Sequence, residues 1–178
     1  MIESGDNGGI GPRVLRVPEG DSRPRHTCPD CGFIHYRNPL IVVGSVCLAG
    51  DGRLLLCQRA IAPRVGYWTI PAGYMELEES TEDGARREAI EEANANINIE
   101  HLLAIYNIPH ISQVQILYAA RLTNDAVSPG PESQAVDLFE WEDIPWSNLA
   151  FPSVHWALTH HRQAVEAGDW TPRSAPAP

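Results

Sequence analysis

The stretch "PAGYMELEESTEDGARREAIEEANA", residues 71–95, constrains this chain more than any other. From Glu76 to Glu92 it carries eight carboxylates against two cations, Arg86 and Arg87. Like charge this dense is either solvated or balanced by something strongly positive. Ser80 is a good N-cap, and Asp83 stands three residues on, where a capping box has its acidic partner. The spacing therefore predicts a helix over residues 80–93. Glu82 and Asp83 suit the positive end of its dipole, whereas Glu91 and Glu92 lie at the end that favours cations. Glu88, Glu91 and Glu92 follow an i, i+3, i+4 spacing and share one face, with Cβ atoms within about 6 Å. Three such carboxylates destabilise a bare helix, yet they offer an oxygen cage to a hard divalent cation such as Mg²⁺.

The flanking segments read as strands. "LIVVGSVCLA" and "LLLCQRA" surround Asp51-Gly52, which predicts a hairpin with a two-residue type I′ turn. That register puts Cys47 and Cys57 on opposite faces of the sheet. "VGYWTIPAGY" reads as loop and short strand. Residues 97–109, 112–124 and 135–145 have the β-branched, aromatic or alternating character of strands. Residues 152–168 read as a helix stopped at Gly168, with His160 and His161 on its surface. Residues 1–25, rich in Gly, Pro and charge, read as a loose arm, and the Pro-rich end as a disordered tail. The organisation expected is an arm over 1–38, a catalytic domain over 39–168 and a tail over 169–178, in the α/β class with a mixed sheet.

A formal net charge of −10 argues against a nucleic-acid partner, because phosphate backbones need a basic surface. It leaves room for a small phosphorylated substrate held through metal ions. No stretch reads as a membrane span or a leader, so the expectation is a soluble cytoplasmic protein without a membrane partner. Four cysteines do not make a disulfide scaffold. "CPDC", with Cys28 and Cys31, has the spacing of half a zinc ribbon. No cysteine precedes it, and His26 or His35 could at most supplement the pair, so Zn²⁺ has two evident ligands of the four it needs.

The pattern Gly73-x5-Glu79-x7-Arg87-Glu88-Ala89-x-Glu91-Glu92 resembles the Nudix box, the signature of the Nudix hydrolase family. Only its end departs, with Asn94 at the family's final glycine; Asn is the next-best residue for a left-handed helix cap. The resemblance implies an α/β/α sandwich with a mixed central sheet, preceded here by a degenerate zinc-ribbon-like arm. It also implies two or three Mg²⁺ or Mn²⁺ ions held by Glu88, Glu92 and the Ala72 carbonyl, with Glu91 a ligand or near-ligand. Glu79 and Arg87 would form a structural ion pair. Family members cleave a nucleoside diphosphate linked to another group. The base that takes the proton of the attacking water would be Glu132, in the loop "SPGPESQ", with Glu91 as the competitor.

Residues around the box bear on the substrate. Tyr67 and Trp68 could stack on a base, although Trp68 reads equally as core and Tyr67 is the better candidate. Arg59, ending the strand "LLLCQR", could reach a phosphate. "CGFIHYRNP", "VGSVCLAGDGRLLLCQRAI", "GYWTIPAGYME", "NIPHISQVQILYAARL", "GPES" and "EDIPWSNLAF" resemble one branch of the family, the plant chloroplast FAD/ADP-ribose pyrophosphatases and their bacterial relatives. That implies ADP-ribose or FAD as substrate, AMP as product, and a homodimer. The "SQPWPFPxS" array of NADH pyrophosphatases is absent, which lowers NADH without removing it, so an NADH or other nucleotide pyrophosphatase stands as the alternative enzyme. The alternative to an enzyme is a Nudix-like sensor that binds ADP-ribose without turnover; the complete set Glu79, Arg87, Glu88, Glu91 and Glu92 favours the enzyme.

Overall fold

The computed structural model describes residues 10–176 and divides at Asn38 and Pro39 into two compact units. In the first unit, β1 (Val14–Arg16), β2 (Arg25–Thr27) and β3 (Ile34–His35) form an antiparallel sheet in that order. Thr27 is fully buried, and its hydroxyl donates to the Val14 carbonyl at 3.1 Å. The expectation of a loose arm over 1–25 is thus corrected in its described part: strands of two or three residues are too short to show a period. Residues 1–9 of that arm lie outside the described residues.

The second unit runs β4 (Leu40–Leu48), β5 (Leu54–Arg59), β6 (Trp68–Thr69), β7 (Ala72–Tyr74), α1 (Thr81–Ala93), β8 (Ile97–Ile108), β9 (Gln113–Leu122), β10 (Ser133–Phe139), α2 (Pro152–Ala167) and β11 (Arg173–Ser174). Its mixed sheet has the order β10-β5-β4-β9-β8-β11; β4 runs parallel to β9, and β11 parallel to β8. β4 and β5 pair at Leu48 and Leu54, and beyond that point β6 lies on β5 and β7 on β4.

Strand alternation assigns the two faces. Val46, Leu54, Leu56, Ala104, Tyr106 and Leu117 pack with Val154, Ala157 and Leu158 of α2. Cys47, Ala49, Leu55, Cys57, Ala120 and Leu122 pack with Ala89 and Ala93 of α1. A helix on each face of one mixed sheet is the α/β/α sandwich expected.

Helix α1 sits close to its sheet because its inner face is built of small residues, Gly84, Ala85, Ala89 and Ala93. A β-carbon at Gly84 would come within 2.7 Å of Val43 Cγ2 and 2.8 Å of Glu79 Oε1. The same inner face carries Glu88 and Glu92, so close packing draws two carboxylates into the interior. Ser80 caps the helix through the Asp83 amide at 3.1 Å, while Asp83 accepts the Ser80 hydroxyl instead of reaching back to the backbone. Asn94 ends it in the left-handed conformation (φ 48°).

Three expectations are corrected. The β4–β5 hairpin closes at Ala49 and Arg53 over the three residues Gly50, Asp51 and Gly52, with Gly52 at φ 98°. Asp-Gly suits both a two-residue turn and a turn followed by a positive-φ glycine, and here the second form wins. The extra residue shifts the register by one, so Cys47 and Cys57 share the α1 face. On α2, His161 is buried against Trp170, and His160 Nδ1 lies 2.7 Å from the Tyr106 hydroxyl. The chain after Gly168 does not leave as a tail: Trp170 stacks on His101 at 4.2 Å, and β11 then joins the sheet edge. Residues 177–178 lie outside the described residues. Among the described residues, no helix is long and apolar enough to cross a membrane.

Candidate active site

Glu88 and Glu92, one turn apart on the inner face of α1, are both buried, at 7% and 6% exposure. Burial, and behind it the neighbouring Glu88 charge, pushes the Glu92 carboxyl up to about 8 against the pull of the Ala72 amide, which lies 3.3 Å from Oε2. Burial likewise raises Glu88, opposed by Arg87. Gly73 of β7 runs directly over Glu88; a side chain there would collide with both of its carboxylate oxygens. The donor set is hard oxygen with surplus negative charge, which fits Mg²⁺ or Mn²⁺ and does not fit a soft metal.

Glu91 stands apart from the other two. Its side chain is 56% exposed and is drawn 3.0 Å from Arg87 Nη1, while Arg87 also holds Glu88 at 2.7 Å. Among the described residues no three His, Cys, Asp or Glu side chains already converge as a cage. Glu88 and Glu92 thus form a buried pair, with the more exposed Glu91 held on the same Arg87 nitrogen as Glu88.

Arg87 also binds Glu79 through two hydrogen bonds and donates to the Tyr74 carbonyl at 3.0 Å. Glu79 in turn accepts the Glu76 amide at 2.6 Å. These contacts fasten the loop after β7 to the helix, which keeps Gly73 over Glu88.

Glu132 sits at the tip of a turn closed by the Ser133 amide on the Gly130 carbonyl at 3.1 Å. One end of this loop rests on the end of α1, through Ser128 N to Ala93 O and Gly130 N to Glu92 O, both 3.0 Å. The other end meets β5, where the Ala60 amide donates to the Glu132 carbonyl at 2.7 Å. The Glu132 charge reaches the pocket, adding to the upward push on both Glu88 and Glu92. Gly130 presses on the Glu91 carbonyl so closely that no side chain could stand there. Sequence reasoning missed Gly130; its setting between two prolines was the available signal.

Arg59 Nε donates to the Pro63 carbonyl at 2.8 Å, its guanidinium lies 5.3 Å from the centre of the Phe151 ring, and its charge pulls the Glu92 carboxyl down. Tyr67 is half-buried, with the Arg64 guanidinium 5.1 Å from its ring centre. Trp68 does not join this group. It packs edge-on against Phe139 at 4.9 Å, as part of the α2-side core.

In the first unit, Cys28 is buried and Cys31 exposed, and the backbone amides of Asp30 and Cys31 donate to the Cys28 sulfur and hold its thiol below the ordinary range. His26 and His35 lie opposite each other on β2 and β3, both exposed. Arg13 pairs with Asp30 inside the "CPDC" turn, at 2.7 Å.

The family model of the NUDIX domain matches residues 38–161, and that of the Nudix N-terminal region matches residues 11–37. The crystal structure of a NUDIX hydrolase from Nitrosomonas europaea superposes with a TM-score of 0.85 at 45% identity, over 90% of this chain and 91% of that one. A MutT-like protein of Streptomyces ambofaciens is 30% identical over 58% of this chain, which spans 66% of that protein's length. An ADP-ribose pyrophosphatase of Methanocaldococcus jannaschii is 25% identical over 65% of this chain and 69% of its own length.

Proposed function

This chain belongs to the Nudix family, and from that premise we propose that it hydrolyses the diphosphate bond of a nucleoside diphosphate linked to a second group, in a divalent-metal-dependent reaction. The observation that carries the reading is the pair Glu88 and Glu92, both buried, in a site where five carboxylates (Glu79, Glu88, Glu91, Glu92 and Glu132) face two guanidiniums, Arg87 and Arg59. Glu88, Glu92 and the Ala72 carbonyl would hold two or three Mg²⁺ or Mn²⁺ ions, with Glu91 able to swing in from Arg87. Bound there, the ions would neutralise phosphate oxygens and acidify the attacking water.

The remaining steps fall to side chains. Glu132 accepts the proton of the attacking water, with Glu91 as the competing base. Arg59, anchored by Pro63 and Phe151, faces a phosphate oxygen. Tyr67 offers one ring face to the base while Arg64 covers the other. Arg87 and Glu79 hold the loop and touch no substrate.

For the substrate we favour ADP-ribose, giving AMP and ribose 5-phosphate, or FAD, giving AMP and FMN. The resemblance to the chloroplast FAD/ADP-ribose branch supports this, as does the similarity to an ADP-ribose pyrophosphatase. NADH is disfavoured by the missing "SQPWPFPxS" array. A homodimer follows from the same family resemblance. Zn²⁺ at Cys28 and Cys31 is not part of the reading, since only two thiols are contributed there.

The test is hydrolysis of ADP-ribose, FAD and NADH side by side, with Mg²⁺ and with Mn²⁺, the products separated by chromatography. AMP from ADP-ribose or FAD, lost on adding EDTA, is expected. No turnover of any of them, together with tight ADP-ribose binding by calorimetry, would replace the enzyme with a sensor.

A further inference from the structure

Asn94 stands where the resembled box ends in glycine, and its side chain does something that glycine cannot. Its backbone takes the left-handed cap (φ 48°, ψ 30°), with the amide on Ile90 O at 2.8 Å, so the helix ends as it would with glycine. Its Nδ2 then lies within hydrogen-bond reach of three acceptors in the loop before β10: Ser128 O and Ser128 Oγ, both at 3.1 Å, and Pro129 O at 3.2 Å. An amide nitrogen has only two hydrogens, so at any moment two of these oxygens are served.

We propose that Asn94 is a positioning residue of the reaction: it clamps loop 128–133 to the end of α1 and thereby sets how far Glu132 reaches toward Glu88 and Glu92. The inference rests on the reading of Glu132 as proton acceptor given above. Two backbone contacts, Ser128 N to Ala93 O and Gly130 N to Glu92 O, fix the loop's approach. They bind through single atoms, and at the far end the Ala60 amide holds the Glu132 carbonyl at 2.7 Å, so the loop is pinned at both ends and can only roll about the line between them. The Asn94 amide supplies the lateral contact that stops this roll. From there the chain is short: Gly130 lies on the last turn of α1, Pro131 follows, and Glu132 is at the turn's tip. With the Glu132 carbonyl held by Ala60, a roll at Ser128 turns the Glu132 side chain about that anchor, and catalytic groups tolerate displacements of only about 1 Å before losing rate.

The design explains a departure from the box without invoking a weakened cap. Glycine at this position would satisfy the backbone slightly better. Asparagine takes the left-handed cap less readily than glycine, and in return it fastens the loop.

The test uses Asn94→Gly, which keeps the left-handed cap and so keeps the fold, and Asn94→Asp, which keeps the shape but cannot donate. Amide hydrogen exchange at Ser128 and Gly130 should quicken about tenfold in both variants, with α1 unchanged. The kcat should fall about tenfold at nearly constant KM. Combined with Glu132→Gln, Asn94→Gly should cost nothing further, because the positioned group is already gone. Unaltered exchange at Ser128 and Gly130 would overturn the clamp itself. Faster exchange with an undiminished kcat, or with a loss that adds fully to that of Glu132→Gln, would overturn the positioning role. A Glu132→Gln enzyme at wild-type rate would overturn the reading of Glu132, and the positioning role with it, and this is told apart from the other failures by the single variant alone.

Discussion

Arg87 meets Glu79 side-on, with Nε 3.0 Å from one carboxylate oxygen and Nη2 2.9 Å from the other. The same guanidinium reaches the Tyr74 carbonyl, Glu88 and Glu91. A planar fork can serve five acceptors in this arrangement; an ammonium cannot. Arg87→Lys should therefore lower the melting temperature by roughly 3–6 °C and reduce turnover, although Arg87 touches no substrate. Differential scanning calorimetry alongside steady-state kinetics reads both effects. An unchanged melting temperature would remove the loop-fastening role.

Divalent metal should stabilise the wild-type fold. At 100 times its dissociation constant, an ion bound only by the native state adds about 2.7 kcal/mol. Glu92→Gln should lose most of this gain. Without metal, the variant should be about as stable as wild type, because burial already holds the Glu92 carboxyl largely protonated at neutral pH. Thermal melts with and without Mg²⁺, on both proteins, measure the difference.

His161 predicts an acid-sensitive fold. Burial lowers its pKa to about 4, with Glu100 raising it and Arg121 lowering it as the charged groups that face it. The folded form thus binds its proton less readily than the unfolded chain, whose histidine titrates at about 6.5. Stability from this group is complete above pH 6.5 and is lost as pH falls toward 4, on the order of 3 kcal/mol in all. His161→Met should flatten that part of the profile. Urea melts of both proteins between pH 4 and 7 give the difference directly, and parallel profiles would refute it.

Tyr67 and Trp68 should separate cleanly. Trp68→Ala should destabilise by about 3 kcal/mol, since Trp68 packs on Phe139 and the α2-side core. Tyr67→Ala should leave the melting temperature nearly unchanged and raise KM. Arg59→Ala should raise KM about tenfold or more through a lost charge-assisted phosphate contact.

Much of this was legible in the sequence, and the reasons are local. Ser80 and Asn94 each act within a few residues, so spacing alone gives the helix and its ends. The failures are those of register and long range. One added turn residue moved Cys57 to the face of Cys47. His161 became buried because Trp170, beyond the helix end, folds back over it. The Asn94 amide acts across more than thirty residues of sequence and nothing local marks its contact, whereas Gly130 was marked only by its two flanking prolines.

The central claim is that Glu92 holds the charge on which hydrolysis depends. The direct measurement is the turnover of ADP-ribose by wild type and by Glu92→Gln in saturating Mg²⁺, with circular dichroism on the same samples. The expected result is a rate loss of at least about a thousandfold with unchanged spectra, in keeping with removal of a group that acts in the transition state. A Glu92→Gln protein that folds and keeps the wild-type rate would contradict it.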